Sequence, residues 1–286
     1  MRASRPLATT VLLLPGVGFL AIFFGLPLAL ALLASFGIGT IGAESHFTLS
    51  HYFDLFANRT YRDGLLNSIY VSVAPTLVSL AIALPLAVAL QASFPGKRLF
   101  SILYKLPLVV PGIVAAFIVM ILFDRGGMLS RMLTPIGLSL PKLVRDDWAL
   151  GVIIAMAWKA VPFMTLIIAG SVASIPEDLK AAARTLGANR LTTFFRIELP
   201  LALPGITAAT LLVFVSSTGA FAVPYLLGPI YPKPLSVWMY EEAMQQNNWA
   251  LASAMGIVMS AVACVILVAY YRLTTGVRYA FGGEVR

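Results

Sequence analysis

Long apolar runs separated by short polar segments set the pattern of this chain. Charge-free windows extend from Pro6 to Ala43, Gly64 to Gly96, Leu199 to Pro232 and Ala243 to Tyr271. Two further runs hold one internal lysine each: Leu99 to Phe123 contains Lys105, and Trp148 to Ser174 contains Lys159. A bilayer-spanning helix needs about 20 predominantly apolar residues. A barrel strand needs about 10, with strict in–out alternation, which these runs lack. The pattern therefore predicts an all-α polytopic membrane protein with six transmembrane helices, near 10–36, 65–92, 99–123, 148–173, 202–227 and 249–271.

Composition excludes the alternatives. Of 286 residues, 59% are hydrophobic and 11% charged, and mean hydropathy is +0.90. A soluble domain carries about 25% charged residues, so this chain has too few to cover a water-facing surface. Disorder requires the opposite bias. The lone Cys264 forms no internal disulfide. His46 and His51 are two isolated imidazoles in a loop and make a poor metal site, since a catalytic zinc usually takes three protein ligands. No metal or catalytic residue is assigned.

The net charge of +8 reads as topology. Twelve of the 20 Lys and Arg residues fall on segments that share a side with the termini, seven lie opposite, and Lys159 sits inside a span. The positive-inside rule places both termini in the cytoplasm. No nucleic-acid partner is needed to explain the charge. The N-terminal apolar run continues to Phe36, beyond the 7–15 residues or so of a signal core, and reads as an uncleaved first span. Prolines interrupt several spans, including Pro75, Pro85, Pro107, Pro111, Pro162, Pro204 and Pro224. Membrane helices tolerate them when neighbours satisfy the freed backbone groups. So many together favour bent helices around a moving path.

The longest inner connection, 174–200, reads as two short helices. Pro176 suits the first helical position, and Glu177 and Asp178 suit the first turn, where the helix dipole favours carboxylates. Leu179, Ala182, Ala183 and Leu186 share one narrow apolar face, with Lys180 and Arg184 on another. Gly187 fits a left-handed C-cap. Asn189 caps a second helix through Phe194, Phe195 and Ile197, ending at a break at Pro200.

This loop resembles the EAA loop of the inner-membrane permease subunits of binding-protein-dependent ABC importers. Ala182-Ala183, Gly187, Ile197, Leu199 and Pro200 match the pattern E-A-A-x3-G-x9-I-x-L-P. The family's Glu falls on Ala181, so Glu177, Lys180 and Arg184 are the nearby charges left to replace it. Tyr52, Asn67-Ser68, Leu106-Pro107, Pro111, Trp158 and Pro162-Phe163 also look like family landmarks. TGAFAVPYLLGP (Thr218 to Pro229) and NNWALASAMGIVM (Asn247 to Met259) are similar to the spermidine/putrescine-type subgroup. The resemblance implies a type I ABC importer permease (MetI-like) fold, in a bacterial inner membrane, across residues 1–286. It implies three partners besides the lipid bilayer: an ATP-binding subunit dimer docked on 174–200, a second permease subunit that is a different chain, and a solute-binding protein. The chain is then a transport subunit and no enzyme. It lacks a G-x4-G-K-[ST] loop, because Arg98 follows Gly96-Lys97 and Gln91 stands at the first glycine. ATP and Mg are expected on the partner, with no cofactor on this chain.

The solute is approached through charge. Lys159 lies in a span, where an ionisable group costs at least about 2.5–3.5 kcal/mol and faces protein or water. It reads either as paired to a carbonyl or as lining the solute path beside Trp158. Ser216, Ser217 and Thr218 form a hydroxyl cluster that either lines the same path or joins helices. Polyamine-type relatives often read G-E-F where this chain has Gly219-Ala220-Phe221. With no Asp or Glu in the spans, an anionic or zwitterionic solute such as an organophosphonate is favoured over a polyamine. On the outer side, Glu241 and Glu242 read as receiving a cation or docking the binding protein. The competing class, a self-sufficient secondary carrier or channel, would want inverted repeats or paired membrane acids; neither is evident.

Overall fold

The structure, a computed structural model, describes residues 5–39, 45–138 and 141–281. In chain order the helices are α1 (Arg5–Leu20), α2 (Leu26–Ser35), α3 (Ser50–Ala57), α4 (Arg59–Ala89) and α5 (Lys97–Leu103). There follow α6 (Leu106–Val109), α7 (Gly112–Phe123), α8 (Met128–Leu133), α9 (Leu150–Ala173) and α10 (Glu177–Thr185). The rest are α11 (Arg190–Thr193), α12 (Leu199–Thr218), α13 (Ala222–Leu227), α14 (Leu235–Tyr240) and α15 (Trp249–Phe281). Among the described residues there is no strand, and 6 helices are long and apolar enough to cross a membrane.

The chain divides into two compact units. One joins the chain up to Arg62 with Trp238–Ala261; the other joins Asp63–Val237 with the chain from Val262 onward. In the first unit, α1 passes through a π turn (Ala21–Gly25) into α2. This helix is apolar all round and mostly exposed from Leu12 to Leu33, as suits a span that faces lipid. Gly37, at φ +78°, then reverses the chain; a Cβ there would stand 2.6 Å from the His46 carbonyl oxygen. The return is fixed by Thr48 N–H donating to Phe36 O at 2.9 Å. The Phe36 ring stacks on Phe47, and the Ser35 and Tyr52 hydroxyls share a 2.7 Å hydrogen bond.

The second unit holds the larger core. On α4 a row of small residues at near-helical repeat, Gly64, Ser68, Ser72, Thr76, Ser79, Ala83 and Ala87, is buried. Ser72, Thr76 and Ser79 each donate to the carbonyl four residues back, at 2.6–2.7 Å. Their polarity is thus spent within the helix, and their small size lets neighbours pack closely. Ala83 and Ala87 join Met164, Ile168 and Val172 of α9 and Ala202, Ile206, Ala209 and Val213 of α12 in one apolar cluster. A second cluster unites Val71 with Ala116 and Val119 of α7, Val152 and Met156 of α9, and Val223 and Leu227 of α13. Between α9 and α12 the approach is tight. A Cβ on Gly205 would lie 2.4 Å from the Ser171 Cβ.

Three sequence expectations are corrected. The third span was expected as one helix over 99–123, but that stretch is three pieces, α5, α6 and α7, and the membrane candidate runs from Gly112 to Ile136. The first break is the turn at Tyr104–Lys105, and Pro111 causes the second: it drives Val110 into extended backbone (ψ 123°), which ends α6. The expected helix break at Pro200 is absent. A π turn (Phe194–Glu198) precedes it, with Leu199 N–H donating to Phe194 O, and the helix runs on from Arg190 to Thr218. The wider turn places Pro200 at the start of a new α-helical register, where a missing N–H is tolerated. The break comes instead at Gly219–Phe221, so that 222–227, expected within the fifth span, forms the separate helix α13.

Candidate functional site

The 174–200 segment is a helix–turn–helix anchored at both ends. Ile175 at its entrance is buried in the α4–α9–α12 cluster, and Leu199 at its exit packs against the same cluster. Pro176, in extended conformation (ψ 132°), stands just before α10 and so outside its first turn, which Glu177 and Asp178 occupy. Gly187, at φ +84°, ends α10. Gly187 N–H donates to Arg184 O and Ala188 N–H to Ala183 O, both at 3.0 Å; this is the paired closure of a Schellman motif, for which glycine is suited. Asn189 then accepts the Thr192 N–H on Oδ1 at 2.8 Å and starts α11.

Its faces sort differently from the periodicity. Leu179, Ala182 and Leu186 are exposed, Leu186 to 89%, whereas Ala183 turns inward. Ala181 and Arg184 are exposed beside them. Lys180 is buried and donates to Glu177 Oε1 at 2.8 Å, while the Glu177 side chain remains 78% exposed. That ammonium holds the Glu177 carboxyl below the usual carboxylate range. Ile197, Leu199 and Pro200 are half-buried along the π turn and the start of α12. The segment thus presents an apolar surface with no cover from the described residues, on a helix fixed to the core of the spans.

Within the spans, Lys159 is half-buried on α9 and its Nζ donates to the Val110 carbonyl oxygen. Trp158 beside it is 39% exposed. Ser216, Ser217 and Thr218 occupy the last turn of α12: Ser216 is exposed, Ser217 buried, and Thr218 Oγ1 donates to Phe214 O at 3.0 Å. Glu242 departs from the expected open loop. It is buried in a π turn (Glu241–Gln245) and accepts the Tyr61 hydroxyl on Oε1 at 2.7 Å. Among the described residues no group of three His, Cys, Asp or Glu is placed to hold a metal.

Sequence reasoning missed Asp146. This buried carboxylate accepts the N–H groups of Trp148, Leu150 and Gly151 at 3.0–3.4 Å and so caps the start of α9. Its signal, an Asp a few residues before a long apolar run, was present. The small-residue row on α4 was also legible in its spacing.

Residues 79–278 match the model of the family described as the binding-protein-dependent transport system inner membrane component. The chain belongs to this family. It is 30% identical to the spermidine/putrescine transport system permease protein PotB of Haemophilus influenzae, over 79% of each chain. It is 35% identical to the molybdenum transport system permease protein ModB of Escherichia coli, over 55% of this chain and 68% of that one. In fold it is similar to a chain of a bacterial ABC transporter involved in import of the acidic polysaccharide alginate. The TM-score is 0.80 at 22% identity, covering 95% of this chain and 96% of that one. This permease is therefore an inner-membrane subunit of an ABC importer, and among its described residues six helices are long and apolar enough to cross a membrane.

Proposed function

We propose that this permease carries a small anionic or zwitterionic solute, such as an organophosphonate, delivered by a binding protein outside the membrane. It pairs with a second, different permease subunit, as its likeness to polyamine-type permeases implies. An ATP-binding subunit dimer docks on residues 174–200. The exposed face of Leu179, Ala182 and Leu186 supports that docking, since an uncovered apolar face on an anchored helix suits a partner groove. Because Ile175 and Leu199 tie this segment to the α4–α9–α12 cluster, movement of the docked subunit reaches the spans as a rigid-body shift. ATP binding drives reorientation only to the extent that the ATPase dimer holds the segment better in one arrangement than the other. ATP and Mg belong to that partner. Both termini lie in the cytoplasm, by the basic excess on their side.

One observation carries the solute class: Lys159 is a half-buried cation within the fourth span, and residues 148–173 and 202–227 hold no carboxylate. A polyamine dication passing here meets like charge without a compensating acid; an anion or zwitterion meets a partner. Trp158, Ser216, Ser217 and Thr218 supply the remaining polar and aromatic lining of this path. Relatives named for spermidine/putrescine and for molybdenum match at 30% and 35% identity, so likeness alone does not choose the cargo. The test reconstitutes the full transporter with its binding protein and measures ATP hydrolysis against a panel of spermidine, oxyanions and phosphonates. Stimulation by an anionic or zwitterionic member is expected. Nanomolar spermidine binding with full stimulation would overturn the solute class.

A further inference from the structure

The turn between the second and third spans carries a feature that transport does not explain. Gly96, at φ +80°, reverses the chain, and three cations follow within nine residues: Lys97, Arg98 and Lys105. Arg98 and Ile102 stand four apart on one face of α5, and Lys105 follows in the turn between α5 and α6. Together with Lys97, Leu106 and Val109 they line an open groove of about 810 Å³. Its two halves differ in chemistry. One is basic; the other is apolar and uncovered, with Ile102, Leu106 and Val109 exposed to 58%, 52% and 84%.

Among the described residues, no carboxylate stands within ion-pair distance of any of the three cations. Lys105 lies over the Tyr104 ring, 5.6 Å from its centroid, a contact that leaves its N–H donors available. An inter-span turn sits at a membrane surface, and the apolar half continues toward the third span. A ligand that satisfies both halves needs an anionic head and a hydrocarbon tail, in that order from the surface inward. Free phosphate would leave the apolar half bare.

We infer that this groove binds an anionic phospholipid, its phosphate held by Lys97, Arg98 and Lys105 and its acyl chain laid against Ile102, Leu106 and Val109. The inference rests on the membrane placement of the family and not on the solute reading. Basic residues near an anionic membrane surface contribute about 1 kcal/mol each, or about fivefold in affinity.

Native mass spectrometry of the full chain in detergent, with phosphatidylglycerol, phosphatidylcholine and glycerol 3-phosphate as probes, tests it. The unaltered protein is expected to retain phosphatidylglycerol in preference to phosphatidylcholine and to bind glycerol 3-phosphate weakly. K97Q/R98Q/K105Q is expected to lose the preference, and K97R/K105R to keep it. R125Q/K142Q, which removes cations elsewhere, is expected to leave it unchanged. Should the triple variant fail to fold, K105Q alone is expected to lose about fivefold. A preference that survives neutralisation, an equal loss in R125Q/K142Q, or glycerol 3-phosphate bound as tightly as the lipid would each overturn the inference.

Discussion

Lys159 on α9 reaches the carbonyl oxygen of Val110, at the point where α6 ends and Pro111 leads into the third membrane helix. Pro111 holds Val110 extended, so its carbonyl falls outside the hydrogen-bond ladders of both α6 and α7. Beside α9, a span around which water is scarce, such a carbonyl needs another donor, and the Lys159 ammonium provides it. Lys159→Met is expected to lower stability by about 1–3 kcal/mol. Lys159→Arg keeps a charged donor and is expected to lose less. Thermal unfolding of the full chain in detergent checks this; equal midpoints for the two variants would show that the bond contributes nothing. Transport tests the proposed path role apart from this bond: if Lys159 lines the path, anion-stimulated ATP hydrolysis is lost in Lys159→Met even where the protein remains folded.

The approach of α9 to α12 at Ser171 and Gly205 permits no added atom. A Cβ at 205 would stand 2.4 Å from the Ser171 Cβ and 2.5 Å from its Oγ. Gly205→Ala is expected to destabilise the chain by about 1–3 kcal/mol through overpacking. Ser171→Gly in the same chain removes both clashing atoms and is expected to recover most of the loss. A double variant no more stable than Gly205→Ala would place the strain elsewhere.

How much of this could be read from residues alone differs from element to element. The number and character of the spans followed from charge-free length, because lipid leaves few alternatives to a helix. The Gly187 cap was legible since a left-handed backbone narrows the choice of residue; the break at Pro111 was not, because a proline in an apolar run reads equally well as a tolerated kink. Pro200 misled for a related reason. A proline signals a break only in α-helical register, and the π turn at Phe194–Glu198 that changes the register leaves no mark in hydrophobic pattern. The faces of α10 were hidden as well. Periodicity groups Leu179, Ala182, Ala183 and Leu186, but tertiary anchoring through Ile175 and Leu199 decides which side faces inward, and it buries Lys180 instead of Leu186.

Asp146 gives the fourth span a defined start. Its carboxylate satisfies three backbone N–H groups that precede or open α9, in a site where the residue itself is buried. Asp146→Ala is expected to cost about 1–2 kcal/mol, in the range of a lost N-terminal cap. Amide hydrogen exchange is expected to rise at Leu150 and Gly151 first. Unchanged protection at those two amides would remove the cap from the account of how α9 begins.

The Glu177–Lys180 pair predicts a pH dependence with a definite sign. Lys180 beside it lowers the Glu177 carboxyl below the usual carboxylate range. A carboxyl lowered in the folded state contributes stability above its unfolded value and loses it as pH falls through the folded one. The difference in α10 amide protection between the unaltered chain and Glu177→Gln is therefore expected to hold from neutral to mildly acidic pH. It should shrink below about pH 4. A difference that grows as acid is added has the wrong sign for this pair.

The proposed coupling to an ATP-binding subunit separates from folding most cleanly at the end of α10. Leu186 is 89% exposed and touches none of the core clusters, so Leu186→Asp is expected to change stability by no more than about 0.5 kcal/mol. If the exposed Leu179–Ala182–Leu186 face meets an ATP-binding subunit, the same change places a charge in a buried apolar contact and is expected to weaken association by about 2–3 kcal/mol, or about 30- to 150-fold. Gly187→Val acts differently. It forces a β-branched residue to φ +84°, opens the turn that fixes α10 against α11, and is expected to leave the ATPase bound but its hydrolysis no longer stimulated by solute. Measured in the reconstituted transporter, the two variants thus lose the same activity by different routes, one through binding and one through transmission. Full solute-stimulated hydrolysis in both would remove residues 174–200 from the coupling path.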